Sequence, residues 1–426
     1  MIASLSRTAL LGAGLLIAGT IALYKSDFAF AQSGTPRATA TSPVDCAHFL
    51  PYSDDPHHIW NRLHRRLTER HDRYGNVYGC DDVDPLLWQN TDLLLRGSAY
   101  RETVILLDEF TRTHAERLIR EPLARAIFQR DLWAVFEWLA GPLRGHEKQR
   151  AELERRLATI IKALALTPSE IQHLPDVYAA LAGSVTSDDF LFPDPAGSWI
   201  LVARDDGTPI APIHSFRFSH SLFLVYLRLP TDGPRPSAYL EALRTFSRKN
   251  PEGACFPPDP PCSPPQFPVG TELALFRRAL LIDSSGHPQV SPITESIQLR
   301  RYREIPQQYT IDWAGVMQRS AEFQLTRRPL QRGNVALRRV SEDEYQFPVF
   351  VSHGFDLEGP TLTLRSCHSC HQGIGVFSFT SYSRVQFENK HTFILVHEAS
   401  EPEESAAALA FLQGRESWKS LQHLMR

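Results

Sequence analysis

The chain has 426 residues, with 45 Lys and Arg against 48 Asp and Glu, for a formal charge of -3. Its 42% hydrophobic content excludes general disorder, and the near-neutral charge lacks the basic excess of a nucleic-acid binder. At about 150 residues per domain the length predicts two domains or three, and 31 Pro predict long ordered loops and many turns.

The first 31 residues read as a signal peptide. Arg7 precedes an uncharged apolar run over 9–24, and Ala29-Phe30-Ala31 forms a small-residue cleavage site before Gln32. The run is shorter than the ~20 residues of a comfortable membrane span. Lys25 directly after it leaves an uncleaved anchor as the alternative, the one case in which the protein meets a membrane. Either way the bulk of the chain is exported, to the periplasm or the extracellular space. Residues 32–57, rich at first in Ser, Thr, Pro and Ala, read as a flexible lead-in.

From 58 to 187 the periodicity is helical. Ile59, Leu63 and Leu67 form one stripe, and 93–95, 104–107, Phe110, Leu118 and Ile119 continue such patterns. Leu123, Ile127, Leu132, Val135, Phe136 and Leu139 form another, with Trp133 and Trp138 beside them as expected core. Leu153, Leu157, Ile160, Ile161 and Leu164 form a third. Gly141-Pro142 and Gly145 break the run, and Thr167-Pro168-Ser169-Glu170 predicts a capped helix start.

From 188 to 426 the pattern is β-rich. Strands are expected at 190–193, 199–203, 221–229, 272–283, 296–303, 323–325, 335–340, 345–351 and 361–364, with a turn at 284–288 suggesting a hairpin. Residues 375–379 also look extended. Helices are expected at 405–412 and 416–424. The fold class is therefore α+β: an N-terminal helical domain (58–187), then a mainly antiparallel β domain (188–426).

The six Cys fall into three sequence pairs. In an oxidising compartment, Cys46 with Cys80 and Cys255 with Cys262 read first as disulfides. A bridge closing about 35 residues would add roughly 3–4 kcal/mol. The loop between Cys255 and Cys262 is proline-rich, so its bridge would add less.

The third pair lies in Cys367-His368-Ser369-Cys370-His371, a Cys-x-x-Cys-His motif. These five residues resemble the haem-attachment site of c-type cytochromes. The resemblance covers the motif and the export signal, not the fold. It implies one covalent haem c, with Cys367 and Cys370 bonded to the two porphyrin vinyl groups and His371 as proximal iron ligand. Two other readings of the motif stay open. One is a Cys367–Cys370 disulfide. The other is a zinc or other metal site using these thiols with two of His368, His371, His353, His391 and His397.

In the class I cytochrome c fold, the motif sits on a helix near the N-terminus and a later Met binds the iron. Here the flanking segments look extended. Met425, next to the chain end, is discounted as a ligand because termini fray. The candidates for the distal position are His353, His391, His397 and Met317, and a five-coordinate iron is the alternative.

Other constellations are weaker. The sequence contains no HExxH, G-x-S-x-G, Walker A or G-x-G-x-x-G motif. Asp81-Asp82-x-Asp84 reads as an Asp-rich turn, and Arg300-Arg301-Tyr302-Arg303 and Arg327-Arg328 as solvated basic faces. The leading expectation is an exported electron-transfer haem protein that docks a redox partner protein. The alternative is a cofactor-free secreted interaction protein stapled by three disulfides. A haem-dependent oxidoreductase is a third reading, for which no distal acid or base is visible.

Overall fold

The computed structural model describes residues 46–71, 77–83, 93–140, 145–182, 192–193, 198–249, 264–306, 316–331, 336–346, 361–362, 364, 371, 375–379 and 395–426. The expected signal peptide lies outside them, as do Cys255, Cys262, His353, Cys367, His368, Cys370 and His391. Helices fill the N-terminal part and an antiparallel sheet the part after it, so the chain is α+β.

The Ile59, Leu63 and Leu67 stripe forms the buried face of α1 (Ile59–Thr68). Two short strands, β1 (Arg70–His71) and β2 (Val77–Tyr78), pair after it. The Cys46–Cys80 disulfide closes this region. Then come α2 (Gly97–Arg112), α3 (Pro122–Leu139) and α4 (Glu147–Ala163). Pro122 opens α3, where a missing N–H costs nothing, and the Glu121 carboxylate accepts the Leu123 N–H at 2.9 Å. The expected capping box opens α5 (Pro168–Gln172). Thr167 Oγ accepts the Glu170 N–H at 3.2 Å, and the Glu170 carboxylate accepts the Thr167 N–H at 2.7 Å. The last helix of this part is α6 (Val177–Ala182).

One stripe assignment fails. Leu118 and Ile119 lie beyond a 3-10 turn, and Leu118 is exposed. His114 adopts φ 51°, a left-handed conformation that ends α2 and redirects the chain before them.

The sheet part runs β3 (Ile200–Arg204), α7 (Pro212–Arg217), β4 (Ser221–Arg228), α8 (Pro236–Lys249), β5 (Glu272–Ile282) and β6 (Pro288–Tyr302). It continues with β7 (Gln318–Leu325), α9 (Arg327–Gln331), β8 (Leu337–Arg339), β9 (Tyr345–Gln346), β10 (Thr361–Leu362) and β11 (Val396–Glu398). Two helices, α10 (Glu401–Gly414) and α11 (Glu416–Met425), follow. Seven strands form one antiparallel sheet in the order β11-β3-β4-β5-β6-β7-β8, and β9 pairs with β10 separately.

The structure departs from expectation at several points in this part. Phe192 and Pro193 are irregular rather than strand. β6 starts at Pro288, directly after the turn, rather than at Ser296. α7 and α8 interrupt the β pattern; each opens on a proline, and α8 buries Tyr239, Leu240, Leu243 and Ser247 on one face. Residues 376–379 form a helical turn rather than a strand, because Gly375 at φ +62° turns the chain and its carbonyl accepts the Ser378 N–H at 3.1 Å. Arg327 is buried rather than solvated, donating to Asp131 at 2.7 Å. The Asp81 carboxylate accepts the N–H groups of Arg327 and Arg328, each at 3.0 Å, at the start of α9.

Both faces of the sheet are covered. Alternation along β4 sends Leu222 and Leu224 into a large core shared with α1 to α4, and Val225 and Leu227 into a second core with Tyr239 and Leu240 of α8. Ala274 and Phe276 of β5 join the first core, Leu273 the second. The helical part and the sheet are thus packed through one hydrophobic cluster, which includes Trp133, Trp418 and Met425. Polar locks cross the same boundary. The Gln129 side chain donates to the Ile282 carbonyl at 2.8 Å and accepts its N–H at 2.9 Å. Arg130 of α3 pairs with buried Glu295 of β6, which also meets Arg277 at 2.9 Å. Among the described residues, no helix is long and apolar enough to cross a membrane.

Candidate functional site

The sheet face away from α1 to α4 carries a cavity. Its floor is Val225 of β4, residues 273–275 of β5, and Gln298 and Arg300 of β6. One wall is the chain from Ile210 into α7, with His214; the other is His371 with Ser378 and Phe379. The period-two pleat gathers Val225, Leu273, Leu275, Gln298 and Arg300 here.

Local bonds fix His214. The Glu404 carboxylate accepts the Ile210 N–H at 2.8 Å, which anchors the approach to α7. Pro212 starts the helix, and the His214 carbonyl accepts the Phe218 N–H at 2.9 Å to end it. The His214 ring packs on Phe223, with centroids 5.3 Å apart. Burial pushes its pKa down to about 4, and Arg217, Arg300 and Arg277 act in the same direction. At pH 7 the imidazole is therefore neutral and keeps a lone pair on one ring nitrogen.

His371 is fixed from two sides. Its carbonyl accepts the Gln318 side-chain N–H at 3.0 Å. Its ring Nδ1 donates to the Ser378 carbonyl at 2.8 Å. A carbonyl oxygen only accepts, so Nδ1 carries the proton, and in the neutral ring Nε2 carries the lone pair. Ser378 is in turn held by the helical turn at 376–379. Its Oγ donates to the Gly375 carbonyl at 3.0 Å, so the hydroxyl of buried Tyr302 donates to that Oγ. The Gln266 side-chain oxygen accepts the Val376 N–H at 3.2 Å, and a Cβ on Gly375 would collide with this oxygen.

The His214 and His371 rings lie 6.5 Å apart, centre to centre, with 15° between their planes. They come from segments 157 positions apart in sequence (371 − 214). The structure brings this pair together, and it places the described candidates His397 and Met317 elsewhere. His397 on β11 bonds Asp205 through Nδ1 at 2.9 Å and Glu403 through Nε2 at 2.6 Å. Partial burial disfavours the charged His397 ring, but the two carboxylates outweigh it and raise its pKa. The Met317 carbonyl accepts the Arg303 N–H at 2.8 Å, and Met317 is not among the residues lining the cavity. Cys367, Cys370, His353 and His391 lie outside the described residues, and among the described residues His371 represents the motif at the cavity. Among the described residues, no group of three or more His, Cys, Asp and Glu converges in the manner of a zinc site.

The described lining carries residue types that a haem would need at its faces, its propionates and its iron. A porphyrin needs an apolar surface, and Ile213, Val225, Leu273, Leu275 and Phe379 supply one. Its propionates need cationic donors, and Arg300 is among the residues lining the same cavity. The iron needs an imidazole with a fixed tautomer, which the Ser378 carbonyl gives His371. Arg300 was read from sequence as part of a solvated basic face. The strand period turns Arg300 to the cavity and Tyr302 into the core, and sends Arg301 to Glu272, at 3.6 Å. His214 carries no local signal in the sequence at all. No protein-family model, curated protein or solved structure matches this chain.

Proposed function

We propose that this chain is an exported c-type haem protein that transfers electrons, with one haem attached through Cys367 and Cys370 and His371 as the proximal ligand. The observation that carries the reading is the His371 ring. It follows a Cys-x-x-Cys pair, lines an apolar cavity with one guanidinium, and donates through Nδ1 to a carbonyl oxygen. That hydrogen bond sets the tautomer and ring direction of a histidine ligand and raises its basicity. A bound haem supplies one-electron ferric–ferrous chemistry: one electron enters from a reduced donor protein and one leaves to an oxidised acceptor protein.

The chain's own residues supply the surroundings. Val225, Leu273 and Leu275 would border the porphyrin, Arg300 on the same floor would receive its carboxylates, and Tyr302 and Ser378 keep the His371 proton on Nδ1. The Cys46–Cys80 disulfide is consistent with export to an oxidising compartment.

The test is expression with the chain's own leader in a host that matures haem c. A Soret band that stays with the denatured polypeptide, and is lost in Cys367→Ala, is the expected result. A colourless, folded product with a Cys367–Cys370 disulfide by mass would replace this reading with the cofactor-free interaction protein.

A further inference from the structure

Covalent attachment with His371 as one ligand leaves the opposite face of the iron to be assigned. Of the distal candidates named from sequence, the described ones, His397 and Met317, do not line the cavity. His397 holds carboxylates on both ring nitrogens. A different histidine stands across the cavity from His371.

We infer that His214 is the second axial ligand, so that the iron is held between two imidazoles, one from α7 and one from the attachment motif. This rests on the proposed haem reading and extends it. The distance is the first argument. A metal–nitrogen bond of about 2.0 Å plus about 1.1–1.2 Å from that nitrogen to the ring centre puts two trans imidazole centroids about 6.3 Å apart. The observed separation is 6.5 Å, with the ring planes only 15° apart.

Preorganisation is the second argument. The His371 ring is held by the Ser378 carbonyl. The His214 backbone is held by its bond to Phe218, and the start of its segment by Glu404 through Ile210. Phe223 packs against the His214 ring. Each ring is thus positioned by contacts that do not involve the other.

The third argument is chemical fit. The rings share a cavity lined mostly by apolar side chains, with Arg300 as its one arginine among the described residues, an environment suited to imidazole ligation of a haem iron. Two imidazoles fill both axial positions. No iron position then stays open for peroxide or a small ligand, which favours electron transfer over the haem-enzyme reading.

The experiment uses the full chain, matured with haem and kept oxidised. Electron paramagnetic resonance and near-infrared magnetic circular dichroism read the axial ligands directly, and the haem-to-protein ratio is measured alongside. The wild type is expected to be low-spin with a bis-imidazole signature. His214→Ala is expected to keep its haem, lose that signature, become high-spin, and return to low-spin when free imidazole is added. His397→Ala is expected to leave the spectrum unchanged.

A bis-imidazole signature that survives in His214→Ala, or a high-spin wild type, would overturn the assignment while leaving covalent haem intact. A wild type without covalent haem would remove the proposed function and this ligand together. If His214→Ala does not accumulate, His214→Met decides. A new thioether–iron band with a higher reduction potential supports His214, since Met/His ligation raises the potential. An unchanged bis-imidazole spectrum in that variant would sink it.

Discussion

Gly375 shows how closely single residues set the geometry of the site. Its φ of +62° lies in the left-handed region, and its carbonyl accepts both the N–H and the Oγ–H of Ser378. A side chain there is strained twice, by the backbone conformation and by collision with the Gln266 oxygen. Gly375→Ala is therefore expected to cost about 1–3 kcal/mol of stability and to loosen the carbonyl that orients His371. Urea unfolding of the two proteins checks the first part, and an unchanged midpoint would refute it. At this scale the sequence was legible where chemistry dictates spacing. The spacing of two thiols and an adjacent imidazole nominated Cys367, Cys370 and His371 from five residues, and of these His371 is described and lines the cavity. His214 could not be nominated in this way, because its relation to His371 exists only after the chain folds. Arg300 and Arg327 were misread for a related reason: a short basic run does not reveal which members the strand pleat or a buried Asp131 draws inward.

Elements were legible where amphipathic periodicity and capping chemistry agree. The helices α1 to α4 follow their apolar stripes, and α5 starts at the expected capping box. The strands β3 to β5 fall within a residue of their expected ends. The short α7 was not legible, since six residues contain too little periodicity to outweigh a β-rich neighbourhood, and it is the element that presents His214. The terminal α11 also went against expectation in one respect. Met425 was discounted on the ground that chain ends fray, yet it is buried in the main core. Away from the cavity, the disulfide ties the start of the described chain across α1 and the β1–β2 hairpin. With a sequence separation of 34, replacing both cysteines in Cys46→Ser/Cys80→Ser is expected to lower stability by roughly 3–4 kcal/mol. A denaturant midpoint equal to that of the oxidised wild type would show that the bridge contributes no stability.

Across the whole molecule, the C-terminal helices reach the cavity wall through one buried carboxyl. Glu404 of α10 is fully shielded from solvent and accepts the Ile210 N–H ahead of α7. Burial pushes its pKa up to about 7; the Ile210 hydrogen bond opposes this, Glu403 adds to it, and Arg204 and His397 oppose it. The unfolded value is 4.5, so between these two values the native state holds a proton that the unfolded state has lost. Stability must therefore fall as pH rises through this window, and the whole penalty is in place above it. His397 acts with the same sign, because its raised pKa gives a contribution that is lost as pH rises. The comparison that isolates Glu404 is Glu404→Gln, which keeps an oxygen acceptor for Ile210 but cannot ionise. Between about pH 5 and pH 8 the wild type is expected to lose on the order of 1–3 kcal/mol more than the variant. Urea midpoints at the two pH values measure the difference, and parallel profiles would show that Glu404 does not carry it. The same carboxyl anchors the approach to His214, so its charge sits one hydrogen bond from the wall of the cavity. If the proposed haem is ligated by His214, the variant should narrow the pH dependence of its spectrum, and equal pH profiles in the two proteins would show that this one hydrogen bond does not couple the C-terminal helices to the cavity.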